Sequence, residues 1–277
     1  GQVSKRIRRI SHDGKLWMTA NLVEKIVKTE FLEIILSKGC KILNISNSTI
    51  VGSLSSNIKS QLRALDLSQS SWTRKWPGMQ VYCREYLDVI EELLSSCCSL
   101  QQLKMEGLML TPKMAASICK NGKTLQVLNL NCRSDLIYYT DTILNYTDYY
   151  QGHLLESVPN GNFQAIIKHC QELKEVDLTN VNDNPQLMDD DLEFFIENIS
   201  PNIVRLNLSN QNVNDDHVKI LLNRCNKLKV LNLFYTLITN VSLKTIRQFS
   251  SLTLEELSVD HRETHIFVDF LELKKMP

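Results

Sequence analysis

A single arrangement of apolar and polar positions recurs along this chain. An apolar residue is followed by two variable positions, a second apolar residue, one variable position and a third apolar residue. It reads CKILNIS from Cys40, LRALDLS from Leu62, LQQLKME from Leu100 and LQVLNLN from Leu125. It returns as LKEVDLT from Leu173, IVRLNLS from Ile203, LKVLNLF from Leu228 and LEELSVD from Leu254. Around the second apolar residue the alternation has period two, which predicts a short strand. Taking that residue as an anchor gives Leu43, Leu65, Leu103, Leu128, Val176, Leu206, Leu231 and Leu257. Between the strands the period changes to that of a helix. Leu87, Ile90, Leu93 and Leu94 share one helical face, as do Leu192, Phe195, Ile196 and Ile199, and Val218, Leu221, Leu222 and Cys225. Asn214 before two aspartates, and Thr111 before Pro112, carry the chemistry of helix starts.

A strand followed by a helix, repeated at about 20–29 residues, is the pattern of a leucine-rich repeat. The expected fold is α/β: a leucine-rich-repeat solenoid, a curved horseshoe with a parallel sheet on its concave face and helices on its convex face. Strands stack about 4.8 Å apart while helices need about 8–10 Å, so such a stack bends with its strands inside. A degenerate strand in LWMTANL, from Leu16, is expected to precede the first full phrase. The spacing predicts one repeat domain over residues 18–277, with inserts near 68–84 and 133–161. Repeats of this kind point to binding rather than catalysis.

In each strand the anchor points inwards and its neighbours point out. The positions one before, one after and three after each anchor therefore line the exposed, concave face of the sheet, through which a target protein would be bound. Across the whole array these columns hold six acids and two bases, a balance that favours a cationic or hydrogen-bonding peptide over phosphate. The candidate protein contacts are Lys104, Glu106, Asp177, Arg205, Phe234 and Tyr235. The last two form an aromatic pair on an otherwise polar face, as binding hot spots do.

Composition narrows the class further. Lys plus Arg equals Asp plus Glu at 31 each, so the chain as a whole has no bias towards nucleic acid or anionic lipid. No apolar run reaches the roughly 18 residues of a membrane span. Cys97, Cys170 and Cys225 each stand three residues before a phrase, a repeated slot for a small buried side chain. They read as free thiols of a nuclear or cytoplasmic protein, and the Asn-x-Ser/Thr sequons, Asn44 and Asn207 among them, as unused. HRETH from His261 lacks the spacing of a metalloprotease motif, and the acidic run from Asp183 lacks the glycine of a calcium loop. Tyr138, Tyr139, Tyr146, Tyr149 and Tyr150 crowd the larger insert, as a contact surface or as self-packing rings. No residue pattern calls for an enzyme, a metal or a cofactor.

The segment VSKRIRRISHDGKLW, ahead of the repeats, resembles the closing part of an F-box. Val3, Lys5, Arg6, Asp13, Leu16 and Trp17 match the motif, while Ser4 and Ile7 depart from it. Followed by cysteine-containing repeats, it makes the chain similar to the F-box/leucine-rich-repeat family. That resemblance implies residues 1–17 as the end of an F-box that also caps the array, and Val3, Lys5, Arg6, Ile7, Leu16 and Trp17 as what remains of an adaptor-binding surface. It implies a substrate-recognition subunit of an SCF-type ubiquitin ligase. Its partners would be the SCF adaptor subunit, a target protein and an accessory substrate-binding subunit, with no membrane and no nucleic acid. The first half of the motif is missing, so this stretch is expected to be a fragment that holds the adaptor poorly by itself. The alternative is a repeat scaffold with no role in ubiquitin transfer.

Overall fold

The structure, a computed structural model, describes residues 14–55, 58–70, 84–108, 110–130, 160–179, 189–250 and 253–259. Both inserts, the tyrosine cluster, HRETH, and Val3, Lys5, Arg6 and Ile7 lie outside them. The chain divides into two compact units, Gly1–Met105 and Glu106–Pro277.

The first unit begins with a 3-10 turn, Gly14–Trp17. Four parallel strands follow: β1 (Thr19–Asn21), β3 (Ile42–Asn44), β5 (Ala64–Asp66) and β6 (Gln102–Lys104). Their anchors are in register, Ala20 with Leu43, Leu43 with Leu65, and Leu65 with Leu103. The degenerate strand after Leu16 is therefore a true member of the sheet. Helices α1 (Thr29–Ser37) and α2 (Arg84–Ser96) carry buried Leu32, Ile35 and Leu36, and buried Leu87, Ile90, Leu93 and Leu94. The pattern did not announce a second, two-stranded parallel sheet, β2 (Ile26–Lys28) with β4 (Thr49–Val51). Its segments are too short to show a period of their own.

The second unit stacks β7 (Val127–Asn129), β8 (Glu175–Asp177), β9 (Arg205–Asn207), β10 (Val230–Leu233) and β11 (Glu256–Val259) in chain order, all parallel. Anchors Leu128, Val176, Leu206, Leu231 and Leu257 meet in register. Each strand is followed by a helix until the last: α3 (Pro112–Lys120) precedes β7, then come α4 (Asn160–His169), α5 (Asp189–Asn198), α6 (Asp215–Arg224) and α7 (Asn240–Ser250). Successive helices pack side by side, and Phe163 of α4 meets Phe195 of α5 with ring centroids 5.9 Å apart. Both units are leucine-rich-repeat stacks, as the spacing predicts. Each buried aliphatic contributes about 1.5–3 kcal/mol, which ordering of the chain largely offsets, so neighbouring repeats must supply the margin.

The caps form where the sequence places them. Thr111 Oγ1 accepts from the Met114 N–H at 3.2 Å, with Pro112 in the first turn. Asn214 Oδ1 accepts from the His217 N–H at 3.0 Å, and His217 Nδ1 accepts from the Asn214 N–H at 3.2 Å. Histidine thus closes a capping box where glutamate is usual.

The cysteine slot is a seam between repeats. Cys97, Cys170 and Cys225 in this slot, and Cys40 at the head of the first full phrase, are free thiols and all buried. Loss of hydration pushes the Cys170 thiol up to about 12 and the Cys225 thiol to about 11, so both stay protonated and unreactive. Ser200 and Gly122 fill the same slot elsewhere. Ser200 Oγ donates to the Gln171 carbonyl at 2.7 Å. At Gly122 there is no room for a side chain, because a Cβ would sit 2.4 Å from the His169 carbonyl oxygen.

Candidate protein-binding face

The outward columns are built by a device that repeats at the exit of five of the described strands. There the residue after the anchor is Asn or Asp, and its side-chain oxygen accepts the backbone N–H two residues on. Asn44 does so from Ser46 at 2.9 Å, Asp66 from Ser68 at 3.0 Å and Asp177 from Thr179 at 3.0 Å. Asn207 does so from Ser209 at 3.2 Å, and Asn232 from Phe234 at 3.0 Å. These are Asx turns, which bend the chain out of the sheet.

One residue beyond that turn the backbone goes left-handed. Glu24, Asn47, Gln69, Gly107, Asn210 and Tyr235 all have φ between 52° and 75° and all stand four residues after an anchor. The next position is exposed at Lys25 and buried in the other five repeats, where it is mostly polar. Ser70 Oγ donates to the Leu67 carbonyl at 2.6 Å and Thr236 Oγ1 to the Leu233 carbonyl at 2.7 Å. Ser48 Oγ and Gln211 Nε2 reach instead to the preceding repeat, to the Leu22 carbonyl at 2.5 Å and the Leu178 carbonyl at 2.6 Å. This slot usually holds asparagine or cysteine, and here serine, threonine and glutamine do its work.

Against this frame the candidate contacts separate. Lys104 is exposed on β6 of the first unit, and Glu106 is half-buried just past it, at the start of the second. Asp177 is committed: beside the Thr179 N–H it accepts from Thr179 Oγ1 at 2.7 Å, and its other oxygen takes Asn129 Nδ2 at 3.4 Å. Asp66 and Asp177 thus orient their own turns as well as lining the face. Arg205 is exposed on β9, and its guanidinium has no hydrogen-bond or ion-pair partner among the described residues, although Glu175 lies opposite it in register. Phe234 and Tyr235 meet edge to face with ring centroids 4.3 Å apart.

Two neighbours of that pair carry no periodic signal and were missed in the sequence. Leu237 is 47 % exposed and Val241 59 %, beside Tyr235 at 38 %. The Leu237 N–H donates to the Val213 carbonyl at 2.8 Å, which fixes this apolar rim to the turn before α6. Of the segment resembling an F-box, Leu16 is exposed and Trp17 half-buried, both in the 3-10 turn before β1.

No family model and no curated protein matches the chain. Two solved structures are similar to it. One is internalin C2 from Listeria monocytogenes, at 15 % identity and a TM-score of 0.49, over 87 % of this chain and 79 % of that one. The other is the leucine-rich repeat-containing protein LegL7 from Legionella pneumophila, at 13 % identity and a TM-score of 0.43, over 91 % of this chain and 98 % of that one. At such values neither likeness speaks of a partner or an activity. Among the described residues no group of His, Cys, Asp or Glu is arranged to hold a metal, and no helix is long and apolar enough to cross a membrane.

Proposed function

We propose that the chain is the target-binding part of a substrate-recognition subunit in an SCF-type E3 ubiquitin ligase, working in the nucleus or cytoplasm. The observation that carries this reading is the F-box-like ending, VSKRIRRISHDGKLW, joined without a linker to the first strand at Thr19. A protein of this kind performs no covalent step. The adaptor subunit grips the F-box, the repeats hold a target through outward residues such as Lys104, Glu106, Asp177, Arg205, Phe234 and Tyr235, and the target is kept at high effective concentration beside the loaded ubiquitin. An accessory subunit could complete the target site. The test is to express the full-length parent with the SCF adaptor and purify by the parent's tag. Co-purification in stable proportion is expected, and its failure sinks the ligase role.

A second reading is a protein-interaction scaffold with no part in ubiquitin transfer. It is favoured by the location of the binding features, which all lie between Lys104 and Val241 and need nothing upstream. The two readings part at the parent's sequence before Gly1. A Leu-Pro followed by two amphipathic helices there supports the ligase.

A further inference from the structure

The outward strip of β9 and β10 differs in chemistry from the rest of the second unit. Its positions are Arg205 and Asn207 on β9, Val230 and Asn232 on β10, and Phe234 just past the end of β10; Ser209, just past β9, is buried. None is acidic. The Asn207 and Asn232 oxygens already accept from their own turns, so what these two amides can offer a ligand is their Nδ2 donors. Arg205 adds, at one end, an exposed guanidinium without a partner among the described residues. The apolar rim of Tyr235 and Leu237 closes the other. Beyond the strip the sign changes, with Glu175 and Asp177 on β8 and Glu256 on β11.

We infer that this strip binds an extended peptide segment through one carboxylate-bearing residue seated on Arg205 and one apolar residue seated against Tyr235 and Leu237. This deepens the proposal that the outer face holds a protein, and it does not depend on any link to ubiquitin. Charge complementarity selects the occupant. A strip of donors with one exposed cation among its described residues suits a single carboxylate, whereas phosphate recognition ordinarily uses clustered arginines. The amides of Asn207 and Asn232 would receive peptide carbonyls between the two anchors. From Arg205 to Phe234 is one strand across and four residues along, roughly 14 Å at about 4.8 Å per strand and about 3.3 Å per residue. An extended ligand covers that in about four residues. The flanking acids reject a run of acidic residues, so the ligand carries one acid between neutral neighbours.

The test is selection from a displayed library of random linear peptides by the full chain. Enrichment of a single Asp or Glu with a Leu, Phe, Tyr or Trp three to five positions away is expected. A synthetic winner should lose about tenfold or more in affinity when its acid is replaced by the amide, or when the protein carries Arg205→Glu. Arg205→Gln should lose binding as well, and Leu237→Ser should erase the apolar preference. Glu175→Gln should bind as well or tighter. Melting curves of these exposed-site variants should match the parent chain's, which separates lost binding from lost fold. Enrichment of basic peptides, no enrichment at all, or indifference to Arg205→Glu overturns the inference. So does phosphoserine in place of the acid binding about tenfold tighter, which would make the site one for phosphate. A parent that fails to recover the SCF adaptor while this selection succeeds loses the ligase role and keeps the acidic-peptide site. The reverse result does the opposite.

Discussion

At the scale of the residue, two positions show how a repeat converts sequence into constraint. Gly122 occupies the cysteine slot because the His169 carbonyl comes too near for any side chain. Gly122→Ala is expected to destabilise by about 1–3 kcal/mol, read as a lower midpoint in urea unfolding with an unchanged slope. Tyr235 is the converse, a side chain kept where the backbone does not favour it. Tyr235→Asn should leave stability unchanged or raise it by up to about 1 kcal/mol, while weakening any ligand of the rim. A large loss of stability would show that the ring is there for packing. The thiols make a third case. Cys98 is exposed, whereas Cys170 and Cys225 are buried with their pKa values raised to about 12 and about 11. A thiol reagent at pH 8 should label Cys98 in the folded chain and reach Cys170 and Cys225 only on unfolding.

At the scale of the element, one carboxylate ties two helices together. Asp215 opens α6, and its oxygens accept from the start of α7: the Thr239 N–H at 2.9 Å, Thr239 Oγ1 at 2.6 Å, the Ser242 N–H at 3.1 Å and Ser242 Oγ. Burial pulls this carboxyl up, but the hydrogen bonds from Ser242 and Thr239 outweigh it and hold the pKa below the usual aspartate value. The folded state therefore prefers the ionised form. Its stabilisation is complete above the unfolded pKa of about 4 and is lost as pH falls through the lower folded value. Asp215→Ala should cost about 1–2 kcal/mol at neutral pH, as loss of a helix cap does, and the penalty should shrink towards pH 3. Thermal melts of both proteins across that range check it. An equal penalty at all pH values would exclude the charge as the cause. This tie was not legible in the sequence. Asp215 reads there as one of two acids suited to the dipole of its own helix, and nothing local shows that it serves the helix of the next repeat.

At the scale of the whole molecule, the repeats and the F-box-like ending make separable claims. The strip on β9 and β10 belongs to the second unit, and the ending belongs to the first. Arg205→Glu and Tyr235→Asn in the full-length parent should leave recovery of the SCF adaptor unchanged while abolishing capture of an acidic test peptide. Loss of adaptor recovery in either variant would contradict that separation.

What the amino-acid sequence determined by itself is the repeat: the anchors and their register, the apolar faces of the helices, the caps at Thr111 and Asn214, and the buried cysteine slot. All of these are local, since a period of two or 3.6 and a capping side chain act within a few residues. Tertiary structure alone decided what each outward side chain is free to do. Asp177 and Arg205 look alike in the sequence, as charges on neighbouring strands. Folding gives the carboxylate three hydrogen bonds and leaves the guanidinium with none among the described residues. Asp177 meets Asn129 only because β7 and β8 of successive repeats lie side by side. Such pairings depend on distance in space between repeats, which no periodicity along the chain records.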